Sequence, residues 1–202
     1  MYAEKKRATT MAEEVVVKPG LGHLDAALTT LIIPTLPCWH ALGATPNTLT
    51  TLGLLCSGLC VYFLYHGRVA LSVAFLAFRC YFDFADGLLA RKYKQVSSIG
   101  DWYDHIVDML FMAAFVCVVY VRSKHRVLHL GLVALFGLLM VVQFACIEKE
   151  FHDENDPETS ISRLRGLCVA PETMKVFDNG TFYLVCAGVI ATAHRKNPPR
   201  LK

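Results

Sequence analysis

Charge is what this sequence has least of. Only 18% of its 202 residues are Asp, Glu, Lys or Arg, while 54% are hydrophobic; a soluble domain carries about 25% charged residues. The mean hydropathy is +0.42. Imbalance of charge is also missing. Twenty basic residues stand against seventeen acidic ones, for a net charge of +3, a balance that does not argue for a nucleic-acid partner. No C-x-x-C spacing occurs among the cysteines at 38, 56, 60, 80, 117, 146, 168 and 186. Most lie in apolar runs and are expected to be small buried hydrophobes, neither disulfide-bonded nor zinc-ligating. The first residues have no apolar core followed by a small-residue cleavage site, so no signal peptide is expected. Neither an internal repeat nor a low-complexity segment is present.

What the sequence does have is long apolar runs. A helix needs about 20 apolar residues to cross roughly 30 Å of hydrocarbon. Four runs approach that length: Asn47 to Tyr65, Val69 to about Leu89, about Ile99 to Val121, and Val127 to Ile147. A fifth, Val176 to Ala193, is shorter and follows a polar loop. These runs lack the alternating polar faces of a large soluble helical protein. The charges cluster between them, in "EKKR", "RKYK", "RSKHR", "EKEFHDENDPE" and "HRKNPPR", as in loops at a membrane surface. Residues 1–22 are expected to form a flexible arm, 23–195 a single membrane domain and 196–202 a basic tail. Ahead of the first run, "LDAALTTLIIPTLPCWHALGATPN" contains Pro34 and Pro37, which break a straight helix. It is expected to be an interfacial or re-entrant helix with Trp39 at headgroup level, with a full sixth span as the alternative. Thr45-Pro46-Asn47 marks a helix start. The distribution of Lys and Arg gives only a modest orientation bias.

Against this background "DFADGLLARKYKQVSSIGDWYDHIVD", from Asp83 to Asp108, holds five aspartates. Asp83 and Asp86 are three apart, and Asp104 and Asp108 four apart, so each pair projects from one helical face. Two antiparallel helices would aim four carboxylates at one point. In a low dielectric such a cluster requires cations or protons. Hard oxygen ligands suit Mg²⁺ or Mn²⁺, and a pair of such ions serves phosphoryl chemistry. A proton relay or ion-transport site is the competing reading. Gly87, which permits close approach of a ligand, and Arg91, whose donor fork matches phosphate oxygens, favour phosphoryl chemistry.

The stretch resembles the signature of the CDP-alcohol phosphatidyltransferase family, D-x2-D-G-x2-A-R-x8-G-x3-D-x3-D, with every fixed position filled and every spacing kept. Eight fixed positions match by chance with a probability below about one in ten million. The resemblance implies that Asp83, Asp86, Asp104 and Asp108 bind two metal ions. It also implies that Asp108 takes the acceptor's proton, and that Gly87, Ala90, Arg91 and Gly100 form the cytidine-diphosphate pocket. Ser97 matches a small hydroxyl position near the nucleotide, and Asn47 to Thr50 match a "PNxxT" entry to the first span. The implied fold is an all-α membrane bundle of six helices, here five spans plus the N-terminal interfacial or re-entrant helix, usually a homodimer. The implied reaction moves a phosphatidyl group from CDP-diacylglycerol to a small polar alcohol such as inositol or glycerol 3-phosphate, releasing CMP. The site would face the cytosol, at the endoplasmic reticulum or another endomembrane in a eukaryote.

Two alternatives stand beside it: an aminoalcohol phosphotransferase using CDP-choline or CDP-ethanolamine with diacylglycerol, at which the "DHxxD" of His105 hints, and a non-catalytic membrane protein retaining the metal site. Asp101 is expected to be a helix-start carboxylate, with a place facing the same site as the other reading. Arg79, inside a span, is expected to pair with a site carboxylate, with snorkelling or contact to substrate phosphate as alternatives. Arg163, Arg165 and Lys175 are expected to be solvated loop charges, with an anionic acceptor as the other reading. Only one clear span follows the long loop, where the family usually has two.

Overall fold

The structure, a computed structural model, describes residue 17 and residues 20–151 and 162–193. The expected arm and tail fall almost wholly outside these residues. Among the described residues all regular structure is helical. Helix α1 is His23–Ile32; a 3₁₀ turn, Ile33–Thr35, leads into the short α2, Leu36–Ala41. The four long helices are α3, Pro46–Tyr65; α4, Val69–Lys92; α5, Ser98–Arg122; and α6, Arg126–Phe151. A 3₁₀ stretch, Ser162–Leu167, and the four-residue α7, Pro171–Met174, precede α8, Asn179–Thr192.

The boundaries follow from local chemistry. Pro34 and Pro37 divide the N-terminal segment into α1, the 3₁₀ turn and α2, because a proline supplies no N–H to the preceding turn. Helix α3 starts at a capping box. The Thr45 hydroxyl accepts from the Thr48 N–H, and Pro46 occupies the first turn, where its missing donor costs nothing. Ser97 caps α5 by accepting from the Gly100 N–H at 3.1 Å. Gly67, at φ +70°, turns the chain between α3 and α4 in a conformation open to glycine.

Among the described residues three helices are long and apolar enough to cross a membrane: Pro46–Tyr65, Ser98–Arg122 and Arg126–Glu150. Helix α4 has the length, with 24 residues, but it carries Arg79, Asp83, Asp86, Arg91 and Lys92. Helix α8 has 14 residues and rises only about 21 Å. It begins three residues later than the apolar pattern predicts, because Asp178 accepts from the Thr181 N–H at 2.9 Å and fixes the helix start.

Helices α3 and α4 form the most extensive pair, with α5 against α3 and α8 against α4 and α6. Their shared core includes Cys60, Leu76, Phe111, Phe115, Phe182 and Ile190. A second cluster, with Leu36, Leu49, Leu88 and Leu89, fastens α2 and the 3₁₀ turn to α3 and α4. Trp39 contributes to it. Its indole N–H donates to the Tyr81 hydroxyl at 2.7 Å, and His40 stacks on Tyr93 with ring centroids 3.8 Å apart. Large apolar side chains such as Leu55, Phe78, Met109, Leu138 and Leu184 point outward, as lipid-facing surfaces do.

The cysteine expectation is corrected at one pair. Cys146, in the last turns of α6, is disulfide-bonded to Cys168, with Cα atoms 4.6 Å apart. The chain returns after 22 residues, a tertiary event that the spacing does not signal. The remaining six are free, and Cys38 and Cys117 are exposed instead of buried.

Candidate functional site

One end of the bundle gathers the polar residues of the signature. Helix α4 brings Asp83 and Asp86 to this end, and α5 starts there with Asp104 and Asp108 on its first turns. Oxygens of Asp83, Asp104 and Asp108 lie within 4.8 Å of one another. Asp86 stands beside that trio, 4% exposed, with its Oδ2 accepting from the Thr50 hydroxyl at 2.6 Å. Three half-buried carboxylates this close repel strongly in a low dielectric. The set therefore fits a hard divalent cation, whose preferred donors are carboxylate oxygens.

Arg79 is the cation already inside the cluster. It lies one helical turn before Asp83 and is 3% exposed. Its Nη1 donates to Asp83 Oδ1 at 3.1 Å and its Nη2 to Asp108 Oδ1. Nη1 also donates to the Tyr183 hydroxyl. The guanidinium carbon sits 4.5 Å from the Phe111 ring centroid, a cation–π position. Pairing, the expectation from sequence, is what the structure shows. Burial leaves no room for snorkelling.

The second oxygen of Asp83 is also held. Asn179, the first residue of α8, donates through Nδ2 to Asp83 Oδ2 at 2.9 Å. Each carboxylate oxygen has two lone pairs, so one pair per oxygen is engaged by protein donors. Neither Asn179 nor Tyr183 was singled out from sequence. The available signal was a polar "DN" heading an apolar run and a tyrosine one turn later, both of which also suit ordinary packing.

The other expected residues line the same end. A Cβ on Gly87 would stand 3.3 Å from Arg91 Nη1, so the glycine leaves space that the Arg91 guanidinium occupies. A Cβ on Gly100 would meet Ser97 Oγ at 3.0 Å and Asn47 Oδ1 at 3.1 Å; Asn47, Ser97 and Gly100 thus converge where α3 meets α5. Ala90 follows Asp86 by one turn of α4 and is partly buried. Asp101 lies in the first turn of α5, where a carboxylate favours the helix dipole, and its carbonyl is 2.7 Å from His105 Nδ1. Of the loop cations, Lys175 pairs with Glu172 at 2.8 Å. Arg165 has its Nε buried without a partner among the described residues. The Arg163 side chain lies outside the described residues.

A sequence model described as CDP-alcohol phosphatidyltransferase matches residues 43–191. The chain belongs to the CDP-alcohol phosphatidyltransferase family. The match takes in α3 to α8 nearly whole and leaves α1 and α2 outside. The archaetidylinositol phosphate synthase of Pyrococcus horikoshii is 39% identical over 70 residues, 35% of this chain and 37% of that protein. The aligned part of the chain thus spans little more than a third of that relative. No solved structure matches the chain. Family membership accounts for the presence of the whole signature, and the geometry shows how the fold converts its spacing into one polar cluster.

Proposed function

We propose that the protein is a membrane-integral phospholipid-synthesis enzyme that transfers a phosphatidyl group from CDP-diacylglycerol to a small polar alcohol, releasing CMP. The observation that carries this reading is the convergence of Asp83, Asp104 and Asp108 within 4.8 Å beside Asp86, Gly87, Arg91 and Gly100, in a chain of this family. Asp83, Asp86, Asp104 and Asp108 would hold two Mg²⁺ or Mn²⁺ ions. Bound there, the metals would neutralise the pyrophosphate and acidify the attacking hydroxyl.

The chain's own residues supply the rest. Arg91 holds phosphate oxygens by its donor fork. Gly100, with Asn47 and Ser97 against it, shapes the nucleotide end of the pocket. Asp108 takes the proton from the alcohol, whose oxygen bonds to the phosphorus that carries the lipid. The bond from that phosphorus to the CMP oxygen breaks, and CMP leaves with its electron pair.

For the acceptor we favour an inositol-type alcohol, free or phosphorylated, because the Pyrococcus relative is named for archaetidylinositol phosphate. The aminoalcohol branch draws no added support from His105, whose Nδ1 faces the carbonyl of Asp101. The bundle is read as a multi-pass membrane domain, acting as a homodimer, with its site at a membrane face where a soluble alcohol meets a lipid donor. The cytosolic face remains our expectation.

Asp108→Asn tests the proton-acceptor role. It removes the base while keeping the shape and a hydrogen-bonding oxygen. In folded protein the transfer rate should fall at least about a hundredfold; an unchanged rate would sink the assignment.

A further inference from the structure

The family signature does not include Arg79, yet its guanidinium is the charge nearest the carboxylates. It engages Asp83 and Asp108, two of the three clustered acids. Its position is fixed by two further contacts: Tyr183 accepts from Nη1 and the Phe111 ring faces it at 4.5 Å; Asn179 in turn holds the opposite oxygen of its partner Asp83. The Nε is buried with no partner among the described residues. A buried ion with an unpaired donor is costly, and what offsets the cost is proximity to three negative groups.

We infer that Arg79 is a resident counter-cation: it holds the carboxylate cluster together when metal is absent and lowers the cluster's affinity for divalent ions. This rests on the metal-site reading above. Two physical effects point the same way. A fixed positive charge beside Asp83 and Asp108 repels an incoming cation in a medium of reduced dielectric. The Nη donors also occupy lone pairs on Asp83 Oδ1 and Asp108 Oδ1 that a metal would otherwise use. Arg79 is therefore a positioning residue that tunes the site through its acids. The inference differs in sign from a purely structural role, in which loss of Arg79 would loosen the acids and weaken metal binding.

The test uses the full chain in detergent or nanodiscs, stripped with chelator, then titrated with Mn²⁺ and read by electron paramagnetic resonance and by thermal unfolding. Arg79→Met should bind Mn²⁺ roughly tenfold more tightly than the wild type. It should unfold at a lower temperature in chelator, with Mn²⁺ restoring more of its stability than the ion adds to the wild type. Arg79→Lys, which keeps the charge, should bind Mn²⁺ with nearly wild-type affinity. Equal or weaker Mn²⁺ binding by Arg79→Met overturns the inference.

If Arg79→Met does not survive without metal, Tyr183→Phe provides the second reading. It removes one anchor of the guanidinium and leaves the charge, so Mn²⁺ should bind more tightly by a smaller factor; unchanged or weaker binding again overturns the inference. The two readings separate cleanly. Saturable Mn²⁺ binding by the wild type with no gain in the variants defeats only the role of Arg79, whereas no saturable binding in any of them defeats the metal site and this inference with it.

Discussion

Asp25 and Asp178 cap each other's helices. Asp178 Oδ2 accepts from the N–H groups of Leu24 and Asp25 at 2.8 and 2.9 Å, while Asp25 Oδ1 accepts from the Gly180 N–H at 2.7 Å. Asp178 Oδ1 meanwhile caps its own helix at Thr181. The N-termini of α1 and α8 are thereby joined, and close packing depends on it. A Cβ on Gly180 would stand 2.8 Å from Leu24 Cγ. Because Asn179 in the same turn reaches Asp83, the segment ahead of the family-matched region is tied to the candidate site through a few hydrogen bonds.

The first prediction follows from that exchange. Asp178→Ala leaves three N–H groups without their acceptor and should destabilise the folded protein by about 2 kcal/mol or more. Asp178→Asn, which keeps one carbonyl acceptor, should cost less. Thermal unfolding in detergent checks both, and equal effects would argue against the shared cap.

Asp25 predicts a pH dependence. Burial is the largest influence on its carboxyl and pushes the pKa up to about 7, with the Gly180 N–H pulling it down and the charge of Asp178 raising it. A folded-state value above the unfolded one means that the folded protein binds the proton more tightly. The contribution of Asp25 to stability is full below about pH 4 and is lost as pH rises through about 7. Relative to Asp25→Asn, the wild type should therefore lose stability between these limits and level off above them. A difference that is flat with pH would contradict this.

Asn179 supplies the third. Asn179→Ala removes one donor from Asp83, and Asn179→Asp places a like charge against it. Transfer activity should fall modestly in the first and at least about tenfold in the second. Folding of both variants is checked by unfolding temperature, and equal activity of the two would exclude an electrostatic role at Asp83.

The disulfide supplies the fourth. Six cysteines are free and two are bonded, so denatured, unreduced protein should take up a maleimide reagent six times and reduced protein eight times. Cys146 lies at the same end of its helix bundle as the carboxylates. Disulfides persist in oxidising compartments and are rare in the cytosol, so the bond and the expected cytosolic orientation point to opposite faces; impermeant labelling of an exposed residue at this end, on intact membranes, decides between them. Eight labels without reductant would remove the bond and its bearing on topology.

Much of the carboxylate cluster was legible in the sequence because it is local. The Asp83–Asp86 and Asp104–Asp108 spacings are helical periods, and helices α4 and α5 are neighbours in sequence, so convergence follows from a single turn. The break at Pro34 and Pro37 and the start at Thr45-Pro46 were legible for the same reason. What was not legible is long-range. The Asp25–Asp178 exchange, the reach of Asn179 to Asp83 and the Cys146–Cys168 bond each join residues whose spacing carries no period. Arg79 is intermediate: its spacing to Asp83 predicted the pair, but its second carboxylate, Asp108, comes from another helix.

The central claim is the chemistry of the carboxylate cluster. The most direct test is release of CMP by purified protein given CDP-diacylglycerol with Mg²⁺ or Mn²⁺, and inositol, inositol phosphate, serine or glycerol 3-phosphate one at a time. The account predicts release with an inositol-type acceptor, abolished by chelator and by Asp108→Asn. No release with any acceptor, in protein shown to be folded, would contradict it.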